Sequence, residues 1–86
     1  MTVMTVVFIE GRREKIMYVG YKPEEIKRAM RRKDLTPRNV DRRANGKVTH
    51  TTVYALMKGE YKTAQRAKIE ALARVLRVPV EDLLAD

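Results

Sequence analysis

A short run of hydrogen-bonding side chains at residues 49–52, reading THTT, is the part of this sequence best suited to chemistry. Three hydroxyl groups and one imidazole can donate and accept hydrogen bonds close to the backbone. Val53, Leu56 and Met57 follow at helical spacing, and Gly59 supplies a C-terminal stop. The pattern predicts a helix of about three turns. One edge of this helix is apolar, and the other presents small polar groups to a ligand.

The sequence lacks the residue sets on which catalysis depends. It has no cysteine, and His50 is its single histidine. It has no glycine-rich phosphate loop and no Ser/His/acid set, and metal ligands are not clustered. We therefore expect no enzyme, no cofactor and no bound metal.

Positive charge is concentrated around the predicted helix. The chain has a formal net charge of +8, and residues 22–68 hold fourteen Lys or Arg against five Asp or Glu. Such a cluster resembles an electrostatic footprint for phosphates. The alternative is a merely soluble or thermophile-like surface, which would spread Lys and Glu more evenly.

Size and hydropathy predict one soluble domain. The 86 residues are 44% hydrophobic, which is enough for a single modest core. The longest apolar run, at residues 6–9, is far shorter than the ~20 residues of a membrane span. No secretory leader pattern opens the chain. We expect a cytoplasmic protein that does not associate with membranes.

The first 21 residues predict a β-hairpin extension, followed by a helical domain at residues 22–86. β-Forming residues occupy 3–9, a turn signal occupies 10–13, and a second β-rich run over 16–19 ends at Gly20. An isolated hairpin is marginally stable in water. It therefore either packs on the helices or pairs with a second copy in a homodimer, and the sequence leaves both open.

Five helices are predicted after the hairpin. The first begins at Pro23, and its cations form either a solvated face or a phosphate contact. The second runs from Pro37 to about Ala44 behind a Thr36 cap, and the third is the helix that follows Thr49. Thr63 is predicted to cap the fourth, and a final short helix covers residues 80–84.

From residue 26 to residue 84 the chain resembles the helix-turn-helix domains of the Cro/lambda-repressor (XRE-type) family. The matching positions span four of the predicted helices: Leu35-Thr36, Thr49, Val53, Leu56, Gly59, Leu72-Ala73, Leu76, Val78 and Leu83. Three features depart from the family pattern. Asp41 stands where the family prefers Ala, Met57 replaces a frequent Glu, and the turn before Thr49 is about two residues longer.

The resemblance implies a mainly α, five-helix fold that binds double-stranded DNA as a homodimeric bacterial, phage or plasmid regulator of transcription. The sequence does not distinguish a repressor from an activator, and only the small size favours a repressor that occupies an operator. The third helix would lie in the major groove. The implied base-reading residues all lie on that helix: His50, Thr51, Thr52, Tyr54 and Ala55. The implied phosphate contacts flank it on both sides: Thr36, Arg38, Arg42, Arg43, Lys47, Thr49, Lys58 and Lys62. Two half-sites about one helical turn apart would make the operator pseudo-palindromic.

Three interpretations remain open besides this one. His50 could be a titrating cap residue instead of a DNA contact. The protein could be an antitoxin-type module that binds a protein partner through the hairpin and its operator secondarily. RNA binding is also compatible with the charge, although the five aromatic residues are too scattered for a stacking platform.

Overall fold

The computed structural model describes residues 4–9 and 14–85. The protein is mainly helical and carries a small antiparallel sheet. In chain order its elements are β1 (Met4–Ile9), β2 (Glu14–Gly20), α1 (Pro23–Lys33), α2 (Pro37–Arg43), α3 (His50–Lys58), β3 (Thr63–Gln65), α4 (Arg66–Leu76) and a 3-10 turn at Val80–Asp82. The prediction of five α-helices is wrong, because the described residues form four and the last segment is a single 3-10 turn.

The sheet has the strand order β1-β2-β3, and both pairings are antiparallel. The predicted hairpin is confirmed in its two strands, whereas its turn at residues 10–13 lies outside the described residues. β2 is the central strand, and its Val19 is opposite Ala64 and fully buried. The hairpin is therefore joined to the helical part of the chain by backbone hydrogen bonds, and β1 forms one edge of the sheet.

The prediction that Thr63 caps the fourth helix is wrong. Thr63 is opposite Gly20 and Gln65 is opposite Tyr18 in the β2–β3 ladder. This pairing keeps residues 63–65 extended, so α4 begins at Arg66 and Gln65 is its N-cap residue.

One hydrophobic core joins the sheet to the helices. The side chains with the largest fully buried volume come from β2, all four helices and the segments after α2 and α4: Val19, Ile26, Met30, Val40, Val48, Val53, Leu56, Ile69, Leu72, Leu76 and Leu83. The predicted apolar stripes are confirmed in this cluster. Burial of this kind contributes about 25 cal/mol per Å² of apolar surface, so the core fixes the position of α3 relative to the sheet.

The segment after the 3-10 turn pairs with the segment before α1. Lys22 N donates to Leu83 O at 2.8 Å, and Ala85 N donates to Gly20 O at 3.0 Å. Tyr21 and Leu84 form the antiparallel bridge between these bonds. The 3-10 turn at Val80–Asp82 ends at Leu83, and Leu84 pairs with Tyr21, so the chain leaves the helical path before a longer final helix forms. Glycine suits this close approach, because a Cβ at position 20 would lie 3.1 Å from the Cβ of Ala85, which is a tight contact.

Candidate nucleic-acid interface

The start of α2 is fixed by its own first residues. Thr36 Oγ1 accepts a hydrogen bond from Asn39 N, and Thr36 N donates to Asn39 Oδ1, both at 3.3 Å. This is a capping box, and Pro37 takes the first helical position. The predicted Thr36 cap is confirmed.

Helix α3 is likewise defined at both ends. Thr49 Oγ1 accepts from Thr52 N at 3.3 Å and lies 3.1 Å from the hydroxyl of Thr52. At the other end Gly59 has φ 70, and its amide donates to Leu56 O. Left-handed backbone of this kind favours glycine. The predicted cap and stop are both confirmed, so the helix covers the residues that sequence reasoning assigned to it.

Asp41 on α2 forms hydrogen bonds with His50, the first residue of α3. Its Oδ2 atom lies 3.1 Å from His50 N and 3.0 Å from His50 Nδ1. Hydrogen bonds from the His50 ring and then from its amide hold the pKa of Asp41 below its ordinary value. An ionised carboxylate can only accept hydrogen bonds, so Nδ1 carries a hydrogen. Asp41 thus links α2 directly to α3.

The contact between Asp41 and His50 uses a backbone amide at the predicted phosphate site of Thr49. A helix N-terminus binds anions through its exposed amides. Here the His50 amide donates to Asp41, and the Thr52 amide donates to Thr49. Asp41 and the capping hydroxyl of Thr49 thus each accept from one of the first amides of α3, and the phosphate contact at Thr49 stays a prediction.

Four of the five predicted base-reading residues reach the surface of α3. Thr51 is exposed, Tyr54 is 47% exposed, and Thr52 is half-buried. The His50 side chain is 41% exposed beside Asp41. Ala55 is the exception, because it is only 6% exposed.

The side chain of Ala55 is buried beside the exposed edge of α3, and its contact with a base stays a prediction. The chain folds back after Gly59, and Glu60 N donates to Ala55 O at 3.1 Å. This return of the chain follows from the left-handed Gly59, and the short Ala55 side chain does not project beyond its neighbours.

The predicted phosphate-binding cations separate into three groups, all of them exposed. Arg38 and Arg42 border a shallow hollow with Asp41 and His50. Lys58 and Lys62 lie at the far end of α3 and in the loop that follows it. Arg43 and Lys47 instead share a cleft with Arg74 of α4 and with Arg77, which directly follows α4. Sequence reasoning missed Arg74 and Arg77, because only the packing of α2 against α4 brings the two helix ends together.

The cations of α1 are partly neutralised on their own helix. Lys27 Nζ lies 3.0 Å from Glu24, and an Arg28 guanidinium nitrogen lies 2.9 Å from Glu25. These pairs favour the solvated face that the sequence left open for this helix.

A buried tyrosine fixes the loop that carries Lys62. Tyr21 Oη donates to the backbone oxygen of Tyr61 at 2.6 Å. Burial raises the pKa of Tyr21, so its hydroxyl stays protonated as a donor. The bond joins the sheet side of the core to the loop after α3, and the sequence gives no signal for it.

Comparisons with protein-family models, curated proteins and solved structures gave no match to this chain. None of the helices over the described ranges is long and apolar enough to span a membrane. Within residues 4–9 and 14–85, no three His, Asp or Glu side chains are grouped so as to hold a metal ion.

Proposed function

We propose that this protein is a sequence-specific, double-stranded DNA-binding regulator of the Cro/lambda-repressor type, acting as a repressor that occupies an operator. The observation that carries the proposal is the exposed polar edge of α3, a helix capped at both ends and buried along its other side. Such an edge fits the major groove, which admits an α-helix and presents hydrogen-bonding groups of each base pair.

The charge around α3 supports the same function. Exposed cations lie before the helix at Arg38 and Arg42 and after it at Lys58 and Lys62. Side chains of this kind bind phosphates and fix the register of a protein on the duplex. Thr36 lies at the start of the preceding helix, which crosses the backbone in such motifs.

The Asp41–His50 contact narrows the bases that His50 can read. With its hydrogen on Nδ1, a neutral imidazole presents Nε2 as an acceptor. Acceptors complement the exocyclic amines of cytosine and adenine, whereas guanine presents acceptors in the major groove. Neutral His50 therefore favours cytosine or adenine, and only the imidazolium could donate to guanine.

The dimer belongs to the same proposal. A single module contacts few base pairs, so specificity requires two copies on two half-sites. Strand β1 is the edge of the sheet, and its unpaired backbone groups can pair with β1 of a second copy. The antitoxin-type alternative would use the same edge for a different protein.

A salt series of fluorescence-anisotropy titrations tests the proposal, with duplexes from the DNA upstream of this protein's own gene beside a shuffled control. We expect one pseudo-palindromic duplex to bind preferentially. With about four phosphates neutralised per protomer, the slope of log K against log salt is roughly −3.6, and a dimer doubles it. Equal and weak binding to both duplexes would contradict the proposal and favour a protein partner.

A further inference from the structure

An open cleft of about 310 Å³ lies where the C-terminal ends of α2 and α4 meet. Small residues contribute to its lining, with Ala44 buried and Ala71 and Val75 half-buried. Four cations and one amide complete it: Arg43, Lys47, Arg74, Arg77 and Asn45. Over residues 4–9 and 14–85, no Asp or Glu lines the cleft.

The four cations of this cleft are uncompensated. Among the described residues none of them makes an ion pair, whereas Lys27, Arg28 and Arg66 each pair with a glutamate on their own helix. Like charges held close together repel one another. A bound polyanion would relieve that repulsion and would be held by several charge-assisted hydrogen bonds.

The cations are also not needed to cap the two helices. Cations near a helix C-terminus often stabilise its last carbonyl groups. In α2 those carbonyls already accept bonds from backbone amides, since Asn45 N donates to Arg42 O and Gly46 N donates to Asp41 O. In α4 Val78 N donates to Ala73 O. The backbone alone therefore closes both helix ends.

Arg77 holds a backbone conformation that costs free energy. Its φ is 57, in the left-handed region at the end of α4. Glycine occupies most such positions, because a Cβ is unfavourable there. An arginine here places a guanidinium in the cleft at the expense of stability, as strained residues at binding sites do.

From these observations we propose that the cleft binds a phosphate-bearing anion. The ligand has at least two anionic groups, which match the planar guanidinium groups of three arginines and the Lys47 ammonium. Two sources supply this chemistry: a backbone phosphate of a duplex that extends past α3, or a free pyrophosphate-containing nucleotide. Anion binding in the cleft does not depend on whether α3 reads bases.

Titration of the full chain with inorganic pyrophosphate at constant ionic strength tests the proposal, followed by NMR of the backbone amides. We expect saturable shifts confined to residues 43–47 and 71–77. The double variant Arg74→Gln/Arg77→Gln should bind at least about tenfold more weakly. The matched control, Arg31→Gln/Arg32→Gln, loses the same charge from exposed positions on α1 and should retain the affinity.

Addition of a shuffled duplex then distinguishes the two sources. Displacement of pyrophosphate by the duplex identifies a DNA phosphate as the ligand, whereas retention identifies a free anion. Shifts that do not saturate, or equal losses in the double variant and its control, would overturn the proposal. Because pyrophosphate binding needs no operator, failure of the base-reading function leaves this test intact.

The single variant Arg77→Gly keeps the test independent of folding. Glycine fits φ 57 better than arginine does, so the melting temperature should not fall, while pyrophosphate affinity should. A lower melting temperature with unchanged affinity would mean that Arg77 serves the fold only, which contradicts its assignment to the cleft.

Discussion

At the scale of single residues, Asp41 connects the two helices of the candidate interface. One oxygen of its carboxylate accepts hydrogen bonds from the backbone amide and the ring of His50. The sequence shows Asp41 as a departure from the family pattern, with no sign of its partner nine positions later. Such a contact depends on the distance between two helices, which local sequence patterns do not encode.

The hydrogen bonds between His50 and Asp41 predict that the stability of the protein changes with pH. The pKa of Asp41 is lowered by His50, so its contribution is complete above the unfolded-state pKa, about 4. The contribution is lost as the pH falls through the lowered pKa of the folded protein. Thermal melts between pH 2 and 7 should show a smaller acid-induced loss for Asp41→Asn than for the wild type.

Glu24→Gln is the control for that experiment. The Glu24 pKa is also lowered, mainly by its hydrogen bond to Lys27, but both partners of this pair lie on α1. The Glu24 variant should retain the Asp41 part of the pH dependence. Identical curves for the wild type and Asp41→Asn would contradict a stabilising role for the contact.

A second residue-scale prediction separates base contacts from phosphate contacts. Thr51→Ala should change the preference at one half-site position by roughly 1–3 kcal/mol and leave the salt slope intact. Lys58→Ala should weaken binding to all sequences alike and reduce the slope by about one unit per site. Anisotropy titrations over a salt series measure both, and indistinguishable profiles would rule out α3 as the helix in the groove.

At the scale of elements, local signals predicted the boundaries of α2 and α3 well. The Thr36 and Thr49 caps, Pro37 and the Gly59 stop act over one helical turn, so the sequence contains them completely. The burial of Ala55 was not predicted, because its exposure depends on how the chain returns after α3. Strand β3 was not predicted, because Thr63 is a good cap residue in isolation and only pairing with the distant strand β2 holds it extended.

The end of α3 provides an element-scale prediction. Gly59→Ala should destabilise the protein by about 1–2 kcal/mol for the left-handed backbone alone. It also brings a Cβ to 3.2 Å from Pro23 Cγ. Gly46→Ala is the matched control, because Gly46 has φ 76 with nothing within 4 Å of its added Cβ.

Urea unfolding at equilibrium measures both glycine variants. We expect Gly59→Ala to lose more free energy of unfolding than Gly46→Ala, and the excess reports the contact between α3 and the start of α1. Equal losses would show that Pro23 moves aside without cost.

At the scale of the whole molecule, the sheet joins the hairpin to the helices and leaves β1 at its edge. For the proposed dimer we expect the wild-type protein to sediment as a dimer. The variants Val6→Pro and Val7→Pro should differ from each other in oligomeric state and in melting temperature. Neighbouring amides of a strand point to opposite sides, and proline removes one of them. One variant should become monomeric with its melting temperature nearly kept, and the other should lose stability through the β1–β2 ladder.

A wild-type protein that sediments as a monomer at the concentrations that bind DNA would contradict the dimer. Two proline variants that remain dimeric and folded would contradict β1 as the contact.

The pairing of residues 20–22 with residues 83–85 has a consequence for folding kinetics. These segments are far apart in the chain, and contacts of this kind are slow to form because a large loop must close first. During synthesis α1, α2 and α3 leave the ribosome before residues 83–85, which pair with residues 20–22, have been made. We therefore expect the complete core to form only after translation has passed residue 85, and nascent chains that stop earlier to expose Tyr21 and the apolar end of the core to chaperones and proteases.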